Sequence, residues 1–358
     1  MKRRTFIKQN VLAGAAFAIG MPEIRPPKDK LGVALVGLGG YSTGQLGPAL
    51  QETRHCYLAG IVTGSPWKIP KWQEQYGIKD QNVYNYENMH TIADNDEIDI
   101  VYVVVPTGLH MKYSLIAANA GKHVWCEKPM AMTPEECTRI IDTCNKNKVK
   151  LSIGYRMQHE PDTQTIIGYA SSKPYGDFKR VEAMAGYNGG GSGKGWRFEK
   201  EMGGGALYDM GVYAINGIRY ATGMEPVEVV KAEQSTKRPK IFTEVDETTS
   251  FQLRFANGLL ADGKTSVGQS INHLRVDCED GWYELRPMQS YSGIKGRTSD
   301  GKIIDQNLGD QQARQMDDDA LAIKENRPVM VPGEEGRRDI RIVRAILEAA
   351  KTGEGVGI

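Results

Sequence analysis

Apolar residues along this chain follow two rhythms, and the change between them divides it. Gly32–Val36, Cys56–Val62, Ile98–Val105, His123–Cys126 and Lys150–Gly154 are short, nearly unbroken apolar runs. Between them, apolar positions recurring every three or four residues predict helices over Gly44–Thr53, Met111–Ala120 and Pro134–Lys146. Unbroken runs mark parallel strands buried on both faces, and their alternation with helices predicts a doubly wound α/β (Rossmann) domain over residues 31–155. A helix over Glu160–Ser171 then leads into a different pattern. Phe178–Gly186, Val227–Gln234, Thr248–Phe255, Leu259–Thr265, His273–Cys278 and Trp282–Leu285 read as strands with little helix between them. With helices over Asp310–Lys324 and Glu334–Thr352, residues 156–358 are expected to form an α+β domain on an open, mostly antiparallel sheet.

The strand ends carry the chemistry. Gly32–Val36 runs into Gly37-Leu38-Gly39-Gly40-Tyr41-Ser42, a strand–turn–helix opening with Ser42 where the strict dinucleotide pattern has Gly or Ala. Gly37 permits the tight turn, Gly39 lets a pyrophosphate approach the backbone, and the helix points its N–H groups at the phosphate. The second strand ends in Thr63-Gly64-Ser65 without the Asp or Glu that would bind both ribose hydroxyls of NAD, and Lys68 follows one turn later. A 2′-phosphate is repelled by a carboxylate and attracted by a lysine, so NADP is favoured over NAD.

In Val124-Trp125-Cys126-Glu127-Lys128-Pro129 the proline ends the strand, which holds Lys128 where ligands sit in open α/β sheets. Partial loss of hydration there is expected to lower the lysine's pKa and make it a proton donor or acceptor. Asp209 and Tyr213 lie four apart after the Gly203-Gly204-Gly205 turn, hence on one helical face. Together with Lys128 they form a proton relay in which Tyr213 meets a sugar hydroxyl and Asp209 orients it. The glycine-rich stretch 186–195 lacks the residues of a P-loop, with Asn188 and Gly195 at the deciding positions, and reads as a flexible loop over the cleft.

Of 358 residues, 45 are Lys or Arg and 44 Asp or Glu, a net charge of +1 that gives no support to nucleic-acid or anionic-membrane binding. The five scattered cysteines and unclustered histidines point to neither a disulfide framework nor a metal. At the start, Lys2-Arg3-Arg4-Thr5-Phe6-Ile7-Lys8 and the apolar run Val11–Met21 form a twin-arginine export pattern. The expectation is a periplasmic protein, not stably inserted in a membrane, with a proline-rich arm over residues 21–30.

The G-L-G turn, Glu127-Lys128-Pro129, Gly154-Tyr155-Arg156, Trp196-Arg197 and Asp209 with Tyr213 together resemble the glucose–fructose oxidoreductase, inositol dehydrogenase and rhizopine-catabolism (Gfo/Idh/MocA) superfamily, from about Leu31 to the chain's end. Tyr213, where most relatives carry histidine, is similar to the glucose–fructose oxidoreductase type. The resemblance implies an NADP-dependent sugar oxidoreductase, a homo-oligomer (dimer or tetramer), that reduces its bound cofactor with one sugar and reoxidises it with another. It implies cofactor contacts from Gly37, Leu38, Gly39, Gly40, Tyr41, Thr63, Gly64, Lys68, Pro106, Leu109, His110, Glu127, Lys128, Arg156, Trp196 and Arg197. Lys128, Asp209 and Tyr213 would react, and Tyr155 and Tyr291 would meet substrate. Two other readings stay open at this stage: a nicotinamide-dependent glycosidase acting by transient sugar oxidation, and a non-catalytic sugar-binding protein.

Overall fold

The computed structural model describes residues 28–189, 191, 193–306 and 309–358. The export pattern, most of the arm, and Gly190 and Ser192 of the glycine-rich loop lie outside the described residues.

Six parallel strands form the first sheet: β1 (Leu31–Val36), β2 (Cys56–Val62), β3 (Val83–Tyr84), β4 (Ile100–Val103), β5 (His123–Cys126) and β6 (Leu151–Ile153). Their order is β3-β2-β1-β4-β5-β6, so the winding reverses between β1 and β4 and opens a crevice at their C-terminal ends. Alternation along β1 assigns its side chains to two cores. Val33 and Leu35 pack with Leu58, Tyr102 and Trp125 on one face, whereas Ala34 and Val36 pack with Val101, Val124 and Cys126 on the other. The helices are α1 (Gly47–Glu52, entered through a π turn at Ser42–Leu46), α2 (Ile69–Tyr76), α3 (His110–Asn119) and α4 (Pro134–Lys146). Thr133 caps α4 by accepting from the Glu136 N–H at 3.2 Å, with Pro134 and two glutamates in the first turn. Strand β4 is shorter than the apolar run 98–105, because Pro106 and the turn before it leave the ladder.

α5 (Pro161–Ser172) leads to the second sheet, built from β7 (Phe178–Gly186), β8 (Pro226–Ser235), β9 (Thr248–Phe255), β10 (Leu260–Ser266), β11 (Asn272–Cys278), β12 (Trp282–Leu285), β13 (Gly296–Thr298), β14 (Ile303–Ile304) and β15 (Val356–Gly357). Its order is β14-β13-β12-β11-β7-β10-β9-β8-β15, antiparallel throughout except for the parallel pair β7–β10. One face buries Val181, Ala183, Leu253, Phe255 and Val276 under α6 (Val212–Thr222); the other carries Arg180, Gln252, Arg254, Lys264 and Arg275. Behind α6, Arg219 Nη1 donates to the fully buried Asp339 at 2.7 Å and its Nη2 to Glu225 at 2.6 Å, tying α6 to α8 (Gly333–Thr352).

One face of the first sheet is closed from far along the chain. α7 (Gln311–Lys324) inserts Ala313, Met316 and Ala320 into the core beneath β1, β2 and Trp125. Asp317 at the helix's outer side accepts the N–H groups of Arg54 and His55 at 2.8 Å each. Lys28, the first described residue of the arm, pairs with Asp99 of the same chain at 2.7 Å. The five cysteines are free. No helix among the described residues is long and apolar enough to cross a membrane.

Candidate active site

The crevice floor is the turn after β1. Gly37 adopts φ +97°, and an added Cβ would lie 2.6 Å from the Val104 carbonyl, so only glycine fits. Ser42, fully buried, donates its hydroxyl to the Gly37 carbonyl at 2.6 Å, which explains serine in the third position: it ties the helix start to the turn. A side chain added at Gly39 or Gly40 would meet only open space. From the β2 end, Thr63 accepts the Ser65 N–H at 3.0 Å, and Lys68 Nζ reaches the Leu38 carbonyl at 2.6 Å. A bare backbone turn with a cation across it fits a dinucleotide carrying an additional phosphate. Gly64 is exposed beside it. So is Trp67, 75% exposed and not anticipated from sequence, whose only signal was an aromatic beside the lysine.

At the end of β5, Lys128 follows Glu127, whose carboxyl accepts from the Tyr102 hydroxyl at 2.7 Å. Gly154 crosses so closely that a Cβ there would lie 2.5 Å from Glu127 Oε1. Burial raises the Glu127 pKa. Lys128 Nζ donates to the Asp209 carbonyl at 2.8 Å, lies 3.9 Å from Asp209 Oδ1, and sits 4.7 Å from the centre of the Tyr213 ring.

Asp209 is placed by its helix start. Gly205 at φ +95° turns the chain, and Asp246 accepts the Leu207 N–H at 2.9 Å. Asp209 Oδ2 then accepts from Arg197 Nε at 2.9 Å and from the Tyr187 hydroxyl at 3.1 Å. Tyr187 was missed by sequence reasoning; its one signal is an aromatic ring closing an apolar strand before the glycine loop.

Electrostatics corrects one expectation. Burial alone would lower the Lys128 pKa, but Tyr213, Asp209 and Glu127 outweigh it, and the net shift is upward. Lys128 is therefore a cation at neutral pH and does not accept a proton. Burial alone would raise the Asp209 pKa, but Lys128 and Arg197 outweigh it and hold the carboxyl below its usual range. Burial and the Asp209 charge push the Tyr187 phenol up to about 12, so it remains a donor.

Arg156 completes the wall. Its guanidinium lies 5.5 Å from the Tyr213 ring and 4.8 Å from the Tyr291 ring, is hydrogen-bonded to the Ser290 carbonyl at 2.6 Å and to Gln311, and its buried Nε lacks a partner. Tyr291 stacks on Tyr41 across the crevice, with ring centres 6.0 Å apart. Arg197 stacks on Trp196 at 4.5 Å. Pro106 and Leu109 flank the turn that starts α3, next to the β4 end.

Two expected contacts lie elsewhere. The ring nitrogens of His110 are each 2.8 Å from a backbone carbonyl, of Pro129 and of Val105, and burial pushes its pKa to about 4. Neutral, the ring has a single N–H to donate to one of these carbonyls, and with backbone at both nitrogens it offers no donor to cofactor. Tyr155 is buried against Asp339 and Tyr220, in the cluster behind α6, so it does not present its hydroxyl to substrate.

Comparison with known proteins agrees with this fold. Residues 31–155 match the model of the oxidoreductase family with an NAD-binding Rossmann fold, and residues 164–284 match the GFO/IDH/MocA C-terminal domain. The crystal structure of aldose-aldose oxidoreductase from Caulobacter crescentus, complexed with glycerol, superimposes with a TM-score of 0.88 at 37% identity, covering 92% of this chain and 100% of that one. The chain belongs to the Gfo/Idh/MocA oxidoreductase family. It is also 27% identical to the D-xylose 1-dehydrogenase [NADP(+)] of Haloarcula marismortui over 89% of this chain and 91% of that protein. It is 26% identical to the D-glucoside 3-dehydrogenase of Escherichia coli over 72% and 79%. In Gfo/Idh/MocA terms, the crevice lies between the nucleotide sheet and the start of α6.

Proposed function

We propose that this protein is an NADP-dependent sugar oxidoreductase that cycles one bound cofactor between two sugars, and that it acts in the periplasm as a homo-oligomer. The observation that carries the reading is the convergence of Lys128, Asp209 and Tyr213 beside the open Gly39–Gly40 turn. When bound, the nicotinamide exchanges a hydride with a sugar carbinol carbon. The chain's own residues handle the proton. Tyr213 takes it from the hydroxyl as a phenolate, the form favoured by the cations Lys128 and Arg156 beside its ring. Asp209, fixed by Arg197 and Tyr187, holds Lys128 in place.

Similarity to an aldose-aldose oxidoreductase supports a two-sugar cycle, as does the twin-arginine pattern, since an exported enzyme without access to free NADP must recycle its own. Adding an aldose to the purified protein should raise the nicotinamide absorbance band, and a second aldose or a ketose should lower it again, with ping-pong kinetics. No response to any sugar overturns the proposal; release of nitrophenol from a nitrophenyl glycoside would replace it with glycoside cleavage.

Lys68 and Thr63 supply the cofactor test. Lys68→Ala with Thr63→Asp removes a cation and adds an anion where the 2′-phosphate is expected. NADP binding should weaken on the order of 10²-fold and NAD binding by less than about tenfold, as read by titration. Equal loss for both cofactors rejects the phosphate pocket.

A further inference from the structure

A second group of polar side chains lies apart from the relay, where the turn after β6 meets α7. His159, Asp318 and Asp319 each place one donor atom within 4.8 Å of the other two. Asp319 is fully buried, and neither of its oxygens has a hydrogen-bond partner, although the Ser152 hydroxyl lies near. His159 is 6% exposed; its Nε2 is unpartnered and its Nδ1 lies 3.7 Å from Asp318 Oδ2. An ionised carboxylate buried without a partner costs several kcal/mol, so something is expected to satisfy it.

We propose that His159, Asp318 and Asp319 form a divalent-cation site that pins α7 to the turn carrying Arg156. One imidazole with two carboxylates suits borderline or hard ions such as Zn²⁺ or Mn²⁺. Burial pushes the Asp319 carboxyl up to about 8, so the ion would displace its proton on binding, while Asp318 is also paired with Arg327. Donors around such an ion stand roughly 3–4 Å apart at bond lengths of about 2.1 Å, so the three close in by about 1 Å on binding. Burial keeps His159 neutral, with its pKa pushed to about 4, which leaves a lone pair for the metal. Asp318, partly exposed, offers the way in from solvent. Two residues before His159 in the same turn, Met157 sits beside Arg156, whose guanidinium bonds Gln311 at the start of α7; the ion would secure both ends of that junction.

Mn²⁺ is the probe, because it disfavours the five thiols. Titration of chelator-treated protein, followed by electron paramagnetic resonance, should show one saturable Mn²⁺ with nitrogen modulation from one imidazole and a melting temperature raised by several degrees. His159→Leu should abolish the nitrogen modulation, and Asp319→Asn should weaken binding at least tenfold. Should Asp319→Asn not fold, Asp318→Asn is read in its place. Absence of saturable binding, or binding and modulation unchanged in the variants, overturns the site. A carboxylic-acid carbonyl band in wild type, lost in Asp319→Asn and accompanied by no bound Mn²⁺, overturns it equally, since a proton would then be what satisfies Asp319.

Discussion

Tyr213→Phe will fold like the parent and lose turnover on the order of 10²-fold or more. The phenyl ring remains between the Lys128 ammonium, 4.7 Å from the ring centre, and the Arg156 guanidinium, 5.5 Å from it, so packing is preserved. Stability should change by less than about 1 kcal/mol. What disappears is the oxygen that takes the substrate proton, so the loss belongs in the chemical step and sugar affinity should change much less. Single-turnover reduction of the bound cofactor by an aldose, with a melting curve on the same sample, measures both. Parent-like turnover would reduce Tyr213 to a packing residue and leave the ionised Asp209 as the one group of the three able to accept a proton, because Lys128 is held protonated.

Lys128→Met will retain the fold and the cofactor but lose turnover on the order of 10³-fold. Methionine keeps the length and the apolar stem but removes the donor to the Asp209 carbonyl at 2.8 Å and the charge beside Tyr213. Asp209 is not abandoned, since Arg197 and Tyr187 still donate to Oδ2, which is why the variant should fold. The pH response is a further signature. In the parent, Lys128 is shifted up and Asp209 down, so neither changes charge between about pH 5 and 9. Without Lys128, the Asp209 pKa rises, and a new acidic limb should enter the pH–rate profile. Wild-type-like turnover in the purified variant would remove Lys128 from the mechanism.

How much of this was legible in sequence follows from which signals are local. Strands β1, β2 and β5 lie where their apolar runs lie, and Gly37 and Lys128 stand at strand ends because a turn glycine and a proline fix those ends. Asp209 and Tyr213 share a face because helical spacing decides it. Four kinds of feature were not legible. β3, β13, β14 and β15 have only two or three residues each, too short for any period. Tyr155 belongs to a recognisable Gly-Tyr-Arg triplet, yet successive residues face opposite ways, so Arg156 reaches the crevice while Tyr155 faces Asp339. The direction of the Lys128 shift depends on charges brought in by residues 209 and 213, which no local reading of the strand end contains. His159 meets Asp318 and Asp319 only through tertiary folding, so no spacing motif could reveal them.

The way α7 closes the nucleotide sheet has a consequence for synthesis. Translation releases residues 31–155 long before Ala313, Met316 and Ala320 exist, so Leu35, Ile61, Tyr102 and Trp125 lack part of their cover until those residues have been made. Closure of that core therefore comes late, and the first half does not stand complete by itself before then. A gene truncated before residue 311 would leave an apolar face in water, a substrate for chaperones and proteases more than a smaller enzyme.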